Sequence, residues 1–179
     1  MEGIVHFSTI MKPEQRRRLD WLRDNVVGRV LEVGCSWGYA LGWVHGDVGV
    51  DISPVPLELA RLMMPDKHWE VADATSLPFL ERSFDTVMLP EVLEHLAFPD
   101  EVERAIAEAK RVASHRILIT VPDGDKATEE AECMKHQWLC DTSGQTFLLD
   151  LLSRDGWISY IRETPPFLAF KAMRLEGAG

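Results

Sequence analysis

At 179 residues, with 46% apolar and 27% charged side chains, the chain has the size of one soluble domain with a sizeable core and leaves no room for a long disordered tail. Its formal charge of −10 sets it against phosphate backbones, so nucleic acid is a disfavoured partner, and no apolar run is long enough to span a bilayer. Cys35, Cys133 and Cys140 are odd in number and form no Cys-x-x-Cys pair, which argues against a disulfide framework and for a reducing compartment.

The opening residues, Met1 to His6, lack the basic-then-apolar order of a secretory signal, so a cytoplasmic location is expected. A helix is predicted from about Pro13 to Asn25, because Pro13 suits a first turn and Leu19, Leu22 and Val26 recur at helical spacing. Arg16, Arg17, Asp20 and Arg23 occupy its other side, and the cluster Arg16-Arg17-Arg18 reads as a solvated face rather than a nucleic-acid patch. Val30 to Val33 is the first expected strand, followed by a helix through Trp43 and a second buried strand over residues 47–52. The pattern then predicts a helix from Leu57 to Met64, a short strand near Trp69 to Ala72 and a fourth strand from Phe84 to Leu89. One or two helical turns over 90–96 precede an amphipathic helix from about Pro99 to Val112 and a fifth strand from Arg116 to Val121. A polar loop leads to a helix from about Thr146 to Arg154. Trp157 to Arg162 and Phe167 to Arg174, separated by Thr164-Pro165-Pro166, read as an antiparallel pair.

This alternation predicts an α/β fold with a mostly parallel sheet, in which ligands sit at the carboxyl ends of the strands. The marked residues fall there: Gly34, Asp51, Asp73 and Leu89-Pro90-Glu91 each follow a strand. In the stretch from Val30 to Leu41 an apolar strand breaks into a small-residue turn, Gly34-Cys35-Ser36-Trp37-Gly38, and resumes as a helix, as the floor of a nucleoside site would. A carboxylate about twenty residues past such a turn can accept both hydroxyls of a ribose, which makes Asp51 a ribose candidate; its alternative is a cap for the helix after Pro54. The turn lacks the third glycine of a dinucleotide motif.

The set Val30-Leu31-Glu32-Val33-Gly34-Cys35-Ser36-Trp37-Gly38, Val50-Asp51-Ile52-Ser53, Ala72-Asp73-Ala74, Ser83-Phe84-Asp85 and Glu91-Val92-Leu93-Glu94-His95-Leu96 resembles the class I S-adenosylmethionine-dependent methyltransferases over nearly the whole chain. The resemblance implies a Rossmann-like, seven-stranded, mostly parallel sheet of order 3-2-1-4-5-7-6, with an antiparallel last strand and helices on both faces. It implies one methyltransferase domain, with residues 1–28 as a helical lid segment and 29–179 as the cofactor-binding core. Glu32, Gly34, Cys35, Ser36 and Gly38 would hold the methionine part of S-adenosylmethionine. Asp51 would take the ribose, Ile52, Asp73 and Ala74 the adenine, and Leu89 and Pro90 would lie under the sulfonium. A cationic cofactor without phosphate suits this rim of carboxylates better than a dinucleotide does. Two departures stand out. Ser36 replaces the usual middle glycine, and Ser114-His115-Arg116 stands where the family has a Gly-Gly turn.

Methyl transfer is an in-line displacement at an activated carbon, so positioning supplies most of the catalysis and a base is needed only where the acceptor loses a proton. Glu91 and His95 are the candidate catalytic residues, with Glu94 on the same predicted turn. Family members that hold Mg or Mn against a diol, including RNA 3′-end 2′-O-methyltransferases, would use Glu91, Glu94, His95 and His136 as ligands; the preferred reading has no metal and leaves Glu94 and His95 to structural hydrogen bonds. Cys133-x-x-His136-x-x-x-Cys140 with Asp141 has zinc-like spacing, but two thiols in a substrate-side loop is the simpler reading. Trp21, Trp43, Trp157 and the Met63-Met64 pair are expected in the core, and Trp37 and Trp138 at the ligand rim. The overall expectation is a methyltransferase, monomeric or homodimeric, acting on a small molecule at a hydroxyl, its pocket built from the N-terminal segment and the loop from Pro122 to Gly144. The alternatives are a metal-assisted RNA methyltransferase and a catalytically silent cofactor-binding subunit.

Overall fold

The computed structural model describes residues 11–124, 140–164 and 167–177. Helix α1 (Pro13–Asn25) starts on its proline and buries Leu19, Trp21 and Leu22, while Arg16 and Arg17 stay exposed. Strand β1 (Val30–Val33) runs into a tight turn and the short helix α2 (Tyr39–Trp43). Strand β2 (Val48–Asp51), helix α3 (Pro54–Met63) and strand β3 (His68–Val71) follow. Strand β4 (Phe84–Pro90) leads through a single 3₁₀ turn, Leu93–His95, to helix α4 (Asp100–Val112) and strand β5 (Ala113–Pro122). Helix α5 (Thr142–Leu152) and the hairpin strands β6 (Trp157–Thr164) and β7 (Phe167–Arg174) close the chain.

The seven strands form one sheet in the order β3-β2-β1-β4-β5-β7-β6. Pairing is parallel from β3 to β5, and β7 runs antiparallel to both its neighbours. Leu19, Leu22, Leu41, Leu57 and Ala60 from α1, α2 and α3 cover one face. Val102, Ile106, Ala109, Leu148 and Leu152 from α4 and α5 cover the other. The expected architecture and strand order are those found.

Boundaries differ where a local signal competes with the apolar pattern. Helix α3 begins at Pro54, three residues before its first buried leucine, because a proline fits the first turn as well as it ends a strand. Helix α5 begins at Thr142, since Asp141 caps it by accepting from the Gly144 N–H at 2.9 Å. No turn separates α4 from β5: Ala113 ends one and starts the other, and the Ser114 hydroxyl bonds Asp85 at 3.2 Å. Met63 is exposed rather than core, and Trp43 is half-buried with its indole N–H donated to Asp20. Trp21 and Trp157 are buried as expected.

Candidate functional site

The turn after β1 is held from within the protein. The Cys35 N–H donates to the Val50 carbonyl at 2.9 Å and the Gly38 N–H to the Cys35 carbonyl at 2.7 Å. Gly34 and Gly38 have φ of +70° and +78°, in the left-handed region open to glycine. A Cβ at Gly34 would lie 2.4 Å from a Val92 methyl, and one at Gly38 would lie 2.1 Å from the Trp69 ring. Both glycines therefore serve close packing inside the fold; room for a ligand is not their only use, as the sequence pattern had suggested. Ser36 adopts φ +48° without glycine's freedom. Below the turn, Glu32 is 2% exposed and accepts from the Leu41 N–H at 2.6 Å, which ties β1 to α2. Burial pushes its pKa up to about 8 against that bond. Burial, with Glu32 and Asp51 close by, also pushes the Cys35 thiol well up, so it packs as an inert side chain.

Asp51, at the end of β2, accepts from Ser36 N–H at 2.8 Å with one oxygen and from Ser53 N–H at 2.9 Å with the other. The cap and the ribose roles weighed from the sequence are thus compatible: each carboxylate oxygen has a second lone pair to offer. Asp73 repeats the arrangement after β3, accepting from the Thr75 N–H and hydroxyl, both at 2.8 Å, and these bonds hold its pKa below the usual carboxylate range. Ile52 stands 71% exposed beside Asp51, while Ala74 packs on the core. Trp37 is also exposed at this rim.

Beyond β4 the picture changes. Leu89 and Pro90 end the strand as buried residues, and Glu91 follows with φ +55°, its N–H donated to the Thr120 carbonyl at 2.8 Å. The Arg18 guanidinium reaches from α1 to within 3.2 Å of Glu91 Oε1 and lies 4.8 Å over the Phe167 ring. Arg18 therefore leaves the solvated face that the arginine cluster suggests. Its place beside the buried Leu19 and one turn before the buried Leu22 is the signal for this, since such a flank points to the sheet. Glu94, on the 3₁₀ turn, is 2% exposed, and neither of its carboxylate oxygens has a hydrogen-bond partner among the described residues; Arg18 Nε is likewise unpartnered. Burial raises the pKa of both glutamates, that of Glu94 the more clearly. Arg18 opposes the shift at Glu91, and the charge of Glu91 adds to it at Glu94. Glu91 and Glu94 thus come together as the spacing predicts, but His95 lies exposed.

The metal readings fare differently. Asp141 is spent as a helix cap, and no group of three His, Cys, Asp or Glu among the described residues is arranged to hold an ion. His6, Cys133, His136 and Trp138, with most of the loop expected to line the pocket, lie outside the described residues. A cation at Glu91 would compete with the guanidinium already there, so the described residues do not fit the proposed metal.

A family model described as a methyltransferase domain matches residues 31–116. The chain resembles a methyltransferase domain over just under half of its length. A ubiquinone biosynthesis O-methyltransferase from Aeromonas salmonicida is 31% identical over 62% of this chain and 52% of its own length, and the chain spans little more than half of the curated relatives it first matches. Among solved structures, a Thermotoga maritima S-adenosylmethionine-dependent methyltransferase superposes with a TM-score of 0.69 at 18% identity, covering 88% of this chain and 87% of that one. The [4+2]-cyclase SpnF superposes with a TM-score of 0.73 at 17% identity, over 90% and 81% of the two chains. The chain shares its fold with both.

Proposed function

We propose that the chain transfers a methyl group from S-adenosylmethionine to a hydroxyl on a small aromatic acceptor. Because a cyclase shares the fold, the case rests on the rim and not on topology. The observation that carries it is the meeting, on one strand edge, of a cradle of left-handed turn and aspartates with an ion-paired glutamate and a buried unpartnered one. The residues fit the cofactor: Glu32, Gly34, Cys35, Ser36 and Gly38 would hold the methionine part, joined by the unpartnered Arg18 Nε for its carboxylate. Asp51 would take the ribose, Ile52, Asp73 and Ala74 the adenine, and Leu89 and Pro90 would back the sulfonium.

When bound, the cofactor supplies an electrophilic methyl carbon. The chain's own part is to exclude water, orient the acceptor and take its proton. Burial pushes both glutamates up, Arg18 opposing the shift at Glu91 and the charge of Glu91 adding to it at Glu94, so Glu94 holds its proton the more readily of the two. Glu91 is thereby the proton acceptor and Glu94 a hydrogen-bond donor to the acceptor oxygen. His95 lies beyond the pair and takes no part in this reading. The hydroxyl follows the activity of the Aeromonas relative, an O-methyltransferase of ubiquinone biosynthesis. Calorimetry with S-adenosylhomocysteine tests the cradle, and turnover of hydroxylated benzoates, with and without Mg, tests the acceptor. Absence of cofactor-product binding would overturn the whole reading; binding with turnover only of amines would overturn the hydroxyl.

A further inference from the structure

The sheet has two edges, and they are built differently. Edge strand β3 has four residues and presents the pair His68 and Glu70. Short, charged edges of this kind resist pairing with another chain. The opposite edge, β6, runs for eight residues, Trp-Ile-Ser-Tyr-Ile-Arg-Glu-Thr, with no proline, glycine or lysine to blunt it, and no described strand pairs with its outer side. At about 3.4 Å per residue it offers roughly 27 Å of open ladder. Ile158, Tyr160 and Ile161 are exposed along it, Tyr160 by 50%. Beside it a groove of about 210 Å³ is lined by Trp21, Tyr160, Arg162, Ala169, Lys171 and Met173. Tyr160 pairs with Lys171 across the hairpin and Arg162 with Ala169, so Tyr160 and Arg162 lie on the groove's face of the sheet.

The sequence of β6 is complementary to itself when two copies run antiparallel about Ile161. In that register each Tyr160 ring lies opposite the partner's Arg162 on the groove face, giving two cation–π pairs from one symmetry axis. On the other face the axis sets Ile161 against the partner's Ile161. Sliding one copy by two residues moves the axis to Tyr160, which puts Tyr160 against Tyr160, leaves both arginines facing Ile158 and removes the charge complementarity. We infer that this chain forms a twofold homodimer through antiparallel pairing of β6 with β6 of a second copy, in the register that places Tyr160 against the partner's Arg162. An isologous contact of this kind closes on itself and joins the two sheets into one of fourteen strands. An eight-residue edge covers less than the ~800 Å² per partner of a standard interface, so the dimer dissociates in the micromolar range.

Sedimentation velocity on the full chain tests this. The wild type is expected to move, as concentration rises, from its monomer mass of 20.3 kDa toward twice that value. Tyr160→Lys sets a cation against the partner's Arg162 at two places and should weaken association by about tenfold or more. Tyr160→Glu removes the same ring but sets a carboxylate against that arginine, so it should dimerise as well as the wild type or better. Because Tyr160 also faces Lys171 of its own hairpin, thermal unfolding of each variant is measured beside association to separate a fault of folding, and equal weakening of association by two variants that remain folded overturns the register. A wild type that stays monomeric at about 200 μM, or a dimer indifferent to Tyr160→Lys, overturns the interface.

Discussion

The aspartates that close β2 and β3 and the glutamates that follow β4 share one rim yet live in opposite conditions. Asp51 and Asp73 accept backbone N–H groups from turns beside them and lean into solvent. Glu94 is buried with no partner for its oxygens among the described residues, and the half-buried Glu91 is held by a guanidinium from α1. A carboxylate satisfied by its own turn is a finished part of the scaffold. A buried carboxylate without a partner costs stability until a ligand or a proton answers it. The aspartate side of the rim is therefore satisfied from within, and the glutamate side holds a buried carboxylate without a partner among the described residues.

The pH dependence of stability separates the buried glutamates, Glu32 under the first turn among them, from the aspartates most widely. Glu32, with its pKa raised to about 8, binds a proton in the folded state over a range where the unfolded chain has lost it. Its contribution is greatest near pH 5 and fades as pH rises through 8, a loss on the order of 4 kcal/mol, and Glu91 and Glu94 act in the same direction. Asp73 and Asp85 work the other way: both sit below the usual range, Asp85 through the Arg29 N–H first of all, so their contribution is lost only as pH falls below about 4. Urea unfolding at pH 5, 6.5 and 8 is expected to show a steady decline that Glu32→Gln flattens, since an amide oxygen can still accept from Leu41. A level profile in the wild type would remove the contrast between the glutamates and the aspartates.

Removing the guanidinium beside Glu91 comes next in size. Arg18→Ala leaves Glu91 buried without its ion pair and should cost roughly 3 kcal/mol at pH 8, the loss of one partner from a buried pair. The cost should shrink at pH 5, where Glu91 can take up a proton instead, and this pH dependence marks the electrostatic share apart from lost packing on Phe167. A loss equal at both pH values would assign Arg18 to packing alone.

The same contrast explains what could be read from the sequence. The strands, the glycine turn and both aspartates are legible because periodicity and turn chemistry act over a few residues, and β1 and β7 fall where their apolar runs do, whereas the strand order comes from the family resemblance. The first turns of α3 and α5 are not, since Ser53-Pro54 and Asp141 serve strand ends and loops equally well as helix starts. Arg18 was read as solvated, although it meets Glu91 from the far end of the chain, because charge clustering says nothing about tertiary partners. Glu94 looked like one of a helical pair, and its isolation depends on which elements close over it. The sequence therefore showed the aspartate side better than the glutamate side, as local bonds are encoded locally and a missing partner is not.

At Ser36 the tension is conformational, and it should yield the smallest effect. Ser36 holds φ +48° while its N–H donates to Asp51. A non-glycine residue in that region costs about 1 kcal/mol, part of which glycine would return through its greater freedom in the unfolded chain. Ser36→Gly should therefore stabilise the protein by about 0.5 kcal/mol, seen as a rise of a degree or two in Tm, with the slope against pH unchanged because no carboxylate is touched. Should the glycine variant instead lose stability, the serine hydroxyl must be contributing a bond that outweighs the strain. The aspartate side would then owe its order to a side chain as well as to backbone N–H groups, and the division between a rim finished by its own turns and a rim completed from elsewhere would have to be redrawn at Ser36.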